Sequence, residues 1–172
     1  FYTRDAYLNE ARRWGVRILP IQINESGIKY WGKFNWIRPG LMHIRSLTQK
    51  SQDAIELERE REGPFNNLEN FITRIKIDRH EVEKLILVGA FDGFGMSQPE
   101  MLYLLDGIYG KGSSYESALF SARLRDLHPG LHDYTLTEKC LNELHLLGFM
   151  LSGDILDILD LHPGSKSAIP AN

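Results

Sequence analysis

The sequence is poor in cysteine and has no long apolar run. Cys140 is the only cysteine among 172 residues, which excludes an internal disulfide and a zinc site built from several cysteines. No apolar stretch approaches the ~20 residues that a helix needs to cross a bilayer, and no basic segment followed by an apolar one marks a secretory signal. We therefore expect a cytoplasmic protein without a membrane partner. The chain opens on Phe1-Tyr2-Thr3 with no initiating Met, so we expect it to be part of a longer protein.

The sequence also lacks a net positive charge. Its 20 Lys and Arg face 23 Asp and Glu, giving a formal net charge of -3, which argues against a generally basic nucleic-acid binder. The charge is uneven, however: residues 1–50 carry +6, residues 51–106 carry -6 and residues 107–172 carry -3. The first 50 residues can therefore form a surface that faces phosphates. A solvated basic face explains the same distribution equally well.

Residues 1–38 are predicted to form a small α/β element. Apolar residues recur at helical spacing across residues 6–14, and Gly15 ends that helix. Residues 16–19 favour a strand, which Pro20 limits to a sheet edge or a turn. Aromatic and aliphatic residues surround Gly32-Lys33, which predicts a small β-hairpin over residues 28–37.

From residue 39 onward the pattern is helical. We predict helices over residues 40–45, 49–62, 68–75 and 80–88, and a further helix that begins at residue 98. The Gly and Ser content of residues 107–136 predicts a flexible linker. Residues 137–162 are predicted to form two short helices, and residues 163–172 a disordered tail. The predicted fold class is mostly α, with a small β-hairpin near the N-terminus.

Pairs of short helices joined by a tight turn can hold a phosphate. The turn presents backbone N–H groups, and the second helix offers its positive N-terminal end. The first candidate pair spans residues 40–62, with its turn at Ser46-Leu47-Thr48, and the second spans residues 81–105, with its turn at Gly89-Ala90-Phe91. Such a site positions a duplex through its backbone and reads no bases. By pattern alone, most such pairs only contribute to packing.

Four motifs resemble bacterial DNA polymerase III alpha subunits, which are C-family DNA polymerases, and they occur in the family's order. They are YLNEARRWG at 7–15 with ILP at 18–20 and NES at 24–26, IRPGL at 37–41 with GPFNNLENF at 63–71, LILVGAFD at 85–92, and ELHLLGF at 143–149 with SG at 152–153. The first resembles the end of the fingers, the second and third resemble a tandem helix-hairpin-helix over residues 39–106, and the fourth resembles the segment that leads to an oligonucleotide-binding domain.

The resemblance implies that the parent protein is a DNA-directed DNA polymerase. Nucleotidyl transfer in this family uses Mg²⁺ held by palm carboxylates upstream of the matched region. No carboxylate here corresponds to them, so we assign no catalytic residue, metal ligand or cofactor to this chain. The expected partner is the backbone of double-stranded DNA. The residues predicted to contact it are Arg45, Ser46, Leu47, Thr48, Lys50, Gly89 and Ala90.

The sequence departs from the family's pattern in three places. Arg45-Ser46-Leu47-Thr48 replaces a Gly-rich hairpin, Ile21-Gln22 replaces Pro and Asp, and Asp154-Ile155 replaces His-Pro. The first departure bears on function, because glycine in the turn lets the backbone approach a phosphate closely. The sequence leaves open whether the parent polymerase is replicative or a divergent accessory enzyme.

A segment of the predicted linker supports an alternative function. The sequence from Glu116 to Leu119-Phe120 is similar to the Gln-x-x-Leu-Phe type of segment with which alpha subunits dock on the sliding clamp, with Glu116 in place of Gln. The alternative is a protein-interaction module whose hairpins are vestigial and whose linker binds the clamp. A short helix that buries Leu119 and Phe120 explains the same residues without any partner.

Overall fold

Six α-helices and a small sheet make up residues 4–110 and 130–153, the part of the chain that the computed structural model describes. The helices are α1 (Arg4–Arg13), α2 (Gln49–Glu62), α3 (Leu68–Arg74), α4 (Arg79–Leu87), α5 (Gln98–Tyr109) and α6 (Leu136–Leu147). The strands are β1 (Arg17–Ile18), β2 (Trp31–Lys33) and β3 (Trp36–Arg38), and short 3-10 turns cover Leu41–His43 and Asp92–Phe94. The predicted fold class is confirmed. None of the described helices is long and apolar enough to cross a membrane.

The sheet has the order β1-β3-β2. β2 and β3 are antiparallel and form a β-hairpin in which Lys33 faces Trp36 across a two-residue turn. β1 lies at the edge and runs parallel to β3, with Arg17 opposite Trp36. One sheet therefore contains both predicted features, the β-hairpin within residues 28–37 and an edge strand within residues 16–19.

Side-chain caps fix where five of the helices begin. Thr48, Asn67, Asp78, Ser97 and Thr135 each accept a hydrogen bond from a backbone N–H in the first turn of α2 to α6. Each such cap contributes about 1 kcal/mol. Residues of these types favour the start of a helix, so the helix starts follow from local chemistry.

Most predicted helices agree with the structure to within one or two residues, and two elements differ in a way that has a physical cause. The helix expected over residues 40–45 is a single 3-10 turn, because the N–H groups of Leu41 and Met42 donate to the carbonyls of Gly27 and Ile28 and hold this backbone against the preceding loop. At the other end, α5 continues past residue 106 to Tyr109, whose hydroxyl donates to the Ile77 carbonyl at 2.8 Å. The segments predicted over residues 155–161 and 163–172 lie outside the described residues.

One hydrophobic core joins the sheet region, both helical pairs and α6. Phe71 is at its centre and contacts Phe65 and Phe91 edge-on, each with 5.0 Å between ring centroids. Leu146, Leu147 and Phe149 extend the same core into the α6 region. Because burying such side chains stabilises a fold by about 1.5–3 kcal/mol each, the two helical pairs depend on each other for stability.

The motif from Gly63 to Arg74 has a structural explanation. The guanidinium of Arg74 donates to the carbonyls of Glu58, Gly63 and Pro64 and contacts the Glu58 carboxylate. It also lies over the Phe65 ring, 4.4 Å from its centroid. Arg74 therefore satisfies carbonyls at the end of α2 and fixes the loop that leads into α3.

Candidate nucleic-acid interface

The first turn, residues 44–48, connects the Leu41–His43 turn to α2. Its entry is fixed by Gly40, where an added Cβ would lie 2.2 Å from the Ile28 carbonyl oxygen, so only glycine fits. Ser46 has a φ of 62°, in the left-handed region that favours glycine. The structure therefore places a left-handed serine where the resemblance stated above leads us to expect glycine.

Four of the five predicted contact residues in the first pair are on the surface. Arg45, Ser46, Thr48 and Lys50 are exposed. Leu47 is different: its side chain is in the core and its N–H donates to the Ile44 carbonyl. Leu47 therefore anchors the turn and has no donor left for a ligand.

Backbone donors are also present beside these side chains. Among the described residues, the N–H groups of Ser46, Gln49 and Lys50 have no hydrogen-bond partner. The last two belong to the first turn of α2, where the aligned peptide dipoles place a partial positive charge. The Thr48 hydroxyl is engaged, because it donates to the Ser51 hydroxyl and accepts from the Ser51 N–H. The first turn thus combines two cations, the Ser46 hydroxyl and unpaired N–H groups on one exposed segment, a chemistry that suits a phosphate.

Glu81 of α4 lies at the base of the first turn. Its carboxylate accepts from the Thr48 N–H at 2.6 Å and from the Ser51 hydroxyl at 2.7 Å. Burial alone would raise the pKa of Glu81, but hydrogen bonds led by the one from Thr48 outweigh it and hold the pKa below its ordinary value. Glu81 therefore holds the first turn on α4. Its negative charge also offsets part of the positive end of α2. No local sequence pattern indicates this role.

The second turn, residues 88–91, is buried. The N–H of Gly89 donates to the Ile86 carbonyl and the N–H of Ala90 to the Leu85 carbonyl, both at 2.9 Å. The Ala90 carbonyl accepts from Ile23 N–H, and Phe91 lies in the core. The predicted donors Gly89 and Ala90 are therefore engaged within the fold. The structure does not bring them onto a surface with Arg45 and Lys50, and we restrict the candidate interface to the first turn.

The remaining candidate segments add no site to the described residues. No group of three or more His, Cys, Asp or Glu residues in residues 4–110 and 130–153 is arranged to hold a metal ion. Asp133 accepts hydrogen bonds from the N–H groups of Gln98 and Tyr134 and from the Lys139 ammonium, so it joins α5 to α6. The clamp-binding prediction for Glu116, Leu119 and Phe120 falls outside the described residues.

Comparison with known proteins places these helical pairs in a family. The family model described as "Helix-hairpin-helix motif" matches residues 15–101, from β1 into α5. The chain belongs to the helix-hairpin-helix family. The matched range contains both turns and the aromatic core that joins them, so it covers the candidate interface described above.

Relatives with longer sequences carry the same region. The chain is similar to "DNA polymerase III subunit alpha" of Thermus aquaticus, 34% identical over 92 residues, which are 52% of this chain and 8% of that protein. It is 31% identical over 156 residues to the protein of that name from Staphylococcus epidermidis, 86% of this chain and 14% of the relative. "Error-prone DNA polymerase" of Corynebacterium glutamicum is 31% identical over 103 residues, 60% of this chain and 9% of the relative. The resemblance to bacterial polymerase III alpha subunits is confirmed, and the chain spans only 8–14% of these relatives.

Proposed function

We propose that this chain is the region of a DNA-directed DNA polymerase that holds double-stranded DNA by its phosphates, and that the first turn makes the contact. The observation that carries the proposal is the exposed set of Arg45, Ser46, Thr48 and Lys50 around unpaired N–H groups at the start of α2. Nucleotide addition by the parent enzyme, and its Mg²⁺, belong to polymerase segments other than this chain. Sliding-clamp binding through Leu119-Phe120 stays a prediction from the sequence.

The chemistry of the first turn supports binding without sequence preference. Phosphate contacts fix the position of a duplex but carry no sequence information, and cations with backbone N–H groups at a helix start are groups that suit phosphates. The cations are few and Glu81 is nearby, so we expect weak affinity, with a dissociation constant of ~10⁻⁴–10⁻⁶ M at physiological salt. Such a module contributes by keeping a duplex in place beside a catalytic domain that supplies specificity.

The test is the salt dependence of duplex binding. Each phosphate contact contributes about 0.9 to the slope of log affinity against log salt, so the double variant R45A/K50A should lower that slope by roughly 2. Fluorescence anisotropy of a labelled duplex across a salt series measures it.

A matched control separates local contact from bulk charge. K76A/K84A removes the same formal charge from residues 51–106, which are outside the first turn, and is expected to keep the wild-type slope. An equal loss in both double variants, or no duplex binding at low salt, would refute the contact that we propose.

A further inference from the structure

An open groove of about 580 Å³ lies between α1 and the β2–β3 hairpin. Its walls are mainly aromatic, with Tyr7 from α1 facing Tyr30, Trp31, Phe34 and Trp36 from the hairpin side. We call it the aromatic groove. It lies apart from the first turn, and no step of the proposed function uses it.

Large aromatic side chains in the groove are exposed to solvent. Trp31 is 53% exposed and Phe34 is fully exposed. Trp31 is nonetheless held in place, because its ring contacts Trp36 with 4.6 Å between centroids. A contiguous exposed apolar patch of this kind marks a binding surface. Because the Trp31 ring is fixed, this surface is already formed before a ligand binds.

Phe34 is at the tip of the β-hairpin in an unfavourable backbone conformation. Its φ is 44°, in the left-handed region where a two-residue hairpin turn favours glycine. A bulky residue there costs free energy, and full exposure means that Phe34 gains no packing in return. Backbone strain of this kind clusters at functional sites.

The charge of the groove indicates its ligand. Its charged lining residues are both cations, Arg4 and Lys33, and the first 50 residues as a whole carry +6. Exposed aromatic rings beside cations are the arrangement with which proteins bind single-stranded nucleic acid: bases stack on the rings and cations hold the backbone. A duplex does not suit it, because paired bases keep their faces stacked on one another.

We propose that the aromatic groove binds single-stranded DNA, with bases stacking on Trp31 and Phe34 and phosphates held by Arg4 and Lys33. The groove is close to the candidate duplex interface without sharing residues with it, since Tyr30 in its wall contacts His43 at 4.2 Å between ring centroids. His43 belongs to the 3-10 turn that enters the first turn. One molecule can therefore hold a duplex at the first turn and an adjoining single strand in the groove.

The experiment compares a 12-nucleotide oligothymidylate with an abasic oligomer of the same length and charge. All three tryptophans, Trp14, Trp31 and Trp36, lie in the N-terminal 36 residues, so intrinsic fluorescence reports directly on stacking. We expect oligothymidylate to quench it and to bind at least about tenfold more tightly than the abasic oligomer, as loss of base stacking implies. Equal binding of the two, or no binding at low salt, overturns the proposal.

Two variants each remove one of the rings that we expect to stack on a base. The proposal can therefore still be tested if one of the two fails to fold. F34G removes the ring while relieving the left-handed strain, so it should keep the wild-type thermal midpoint and weaken oligothymidylate binding roughly tenfold. W31A should weaken binding similarly. Y103A, at a 49% exposed tyrosine on α5, is the control and should bind like wild type. Wild-type binding by both F34G and W31A overturns the proposal.

The two proposals fail separately. R45A/K50A should weaken duplex binding and leave oligothymidylate binding unchanged, whereas F34G should weaken oligothymidylate binding and leave duplex binding unchanged. If no oligonucleotide binds, and F34G weakens association with a preceding polymerase segment supplied as a separate protein, the groove is a protein interface and the single-strand proposal is wrong.

Discussion

The two turns of this helix-hairpin-helix region share a backbone feature and differ in everything around it. Each contains a residue in the left-handed conformation, Ser46 in the first and Gly89 in the second. The first turn is exposed and polar, whereas the second is buried and donates its N–H groups to the preceding helix. The same helix–turn–helix pattern thus provides a surface in one copy and a core element in the other.

The residues that flank each left-handed position explain the difference. Arg45, Thr48 and Lys50 cannot be buried without a large desolvation cost, so the first turn stays in water. Ala90 and Phe91 gain by burial, and the second turn therefore packs inward. Glu81 joins the two pairs, because it lies on α4 of the second pair and binds the backbone of the first turn.

The largest expected effect tests the buried turn. F91A should lower the free energy of unfolding by about 3–5 kcal/mol, because it removes a ring that lies in the core and contacts Phe71. The counterpart in the first pair, M42A, truncates a 50% exposed side chain and should change stability by less than about 0.5 kcal/mol. Urea denaturation measures both. Similar losses in the two variants would contradict the contrast between the turns.

A smaller effect is expected where the two pairs meet. E81Q should cost about 1–3 kcal/mol, because the Thr48 N–H and the Ser51 hydroxyl lose a charged acceptor in a buried place. E60Q, at an exposed position of α2, is the matched control and should be nearly neutral. A neutral E81Q would mean that the two pairs are held together by apolar packing alone.

The pH dependence of E81Q gives a second test. The pKa of Glu81 is lowered in the folded protein, so its contribution to stability is present above the unfolded pKa of ~4.3 and is lost as pH falls through the folded value. The stability difference between wild type and E81Q should therefore shrink as the pH falls below ~4.3. A difference that persists at lower pH would show that the ionisation of Glu81 is not its cause.

Sequence reasoning recovered what is encoded locally. The caps Asn67 and Thr135 and the hairpin within residues 28–37 depend on residues close in the chain, so they were predictable, although the hairpin turn is at Phe34-Asn35 and Gly32-Lys33 belong to β2. The burial of Ala90 depends on Ile23, which is distant in sequence, and the role of Glu81 depends on contacts with another helical pair. No local pattern reports such pairings, and this is why one of the two predicted phosphate-binding turns proved to be internal.

The aromatic groove was missed for a related reason. Trp31 and Phe34 are separated by Gly32 and Lys33, so the sequence shows no clear alternation that would assign the two rings to a buried or an open face of the hairpin. Only the assembled structure shows that the α1 side of this hairpin stays open. A residue-by-residue reading identifies the hairpin but cannot say which of its faces is covered.

The smallest expected effect concerns the left-handed serine of the first turn. S46G should relieve the cost of a φ of 62°, about 1–2 kcal/mol, while the added freedom of glycine in the unfolded chain returns about 0.4–1 kcal/mol. We therefore expect a net gain of roughly 0.5 kcal/mol in unfolding free energy, with duplex affinity equal to or above wild type because the backbone N–H groups become more accessible.

S46A separates strain from the hydroxyl: it keeps the Cβ and should gain no stability, and it should bind the duplex more weakly if the Ser46 hydroxyl donates to a phosphate. Urea denaturation and duplex anisotropy on the same samples measure both quantities. Loss of duplex binding in S46G with S46A unchanged would show that the left-handed backbone of a residue with a Cβ itself shapes the contact, and the hydroxyl would then have no part in it.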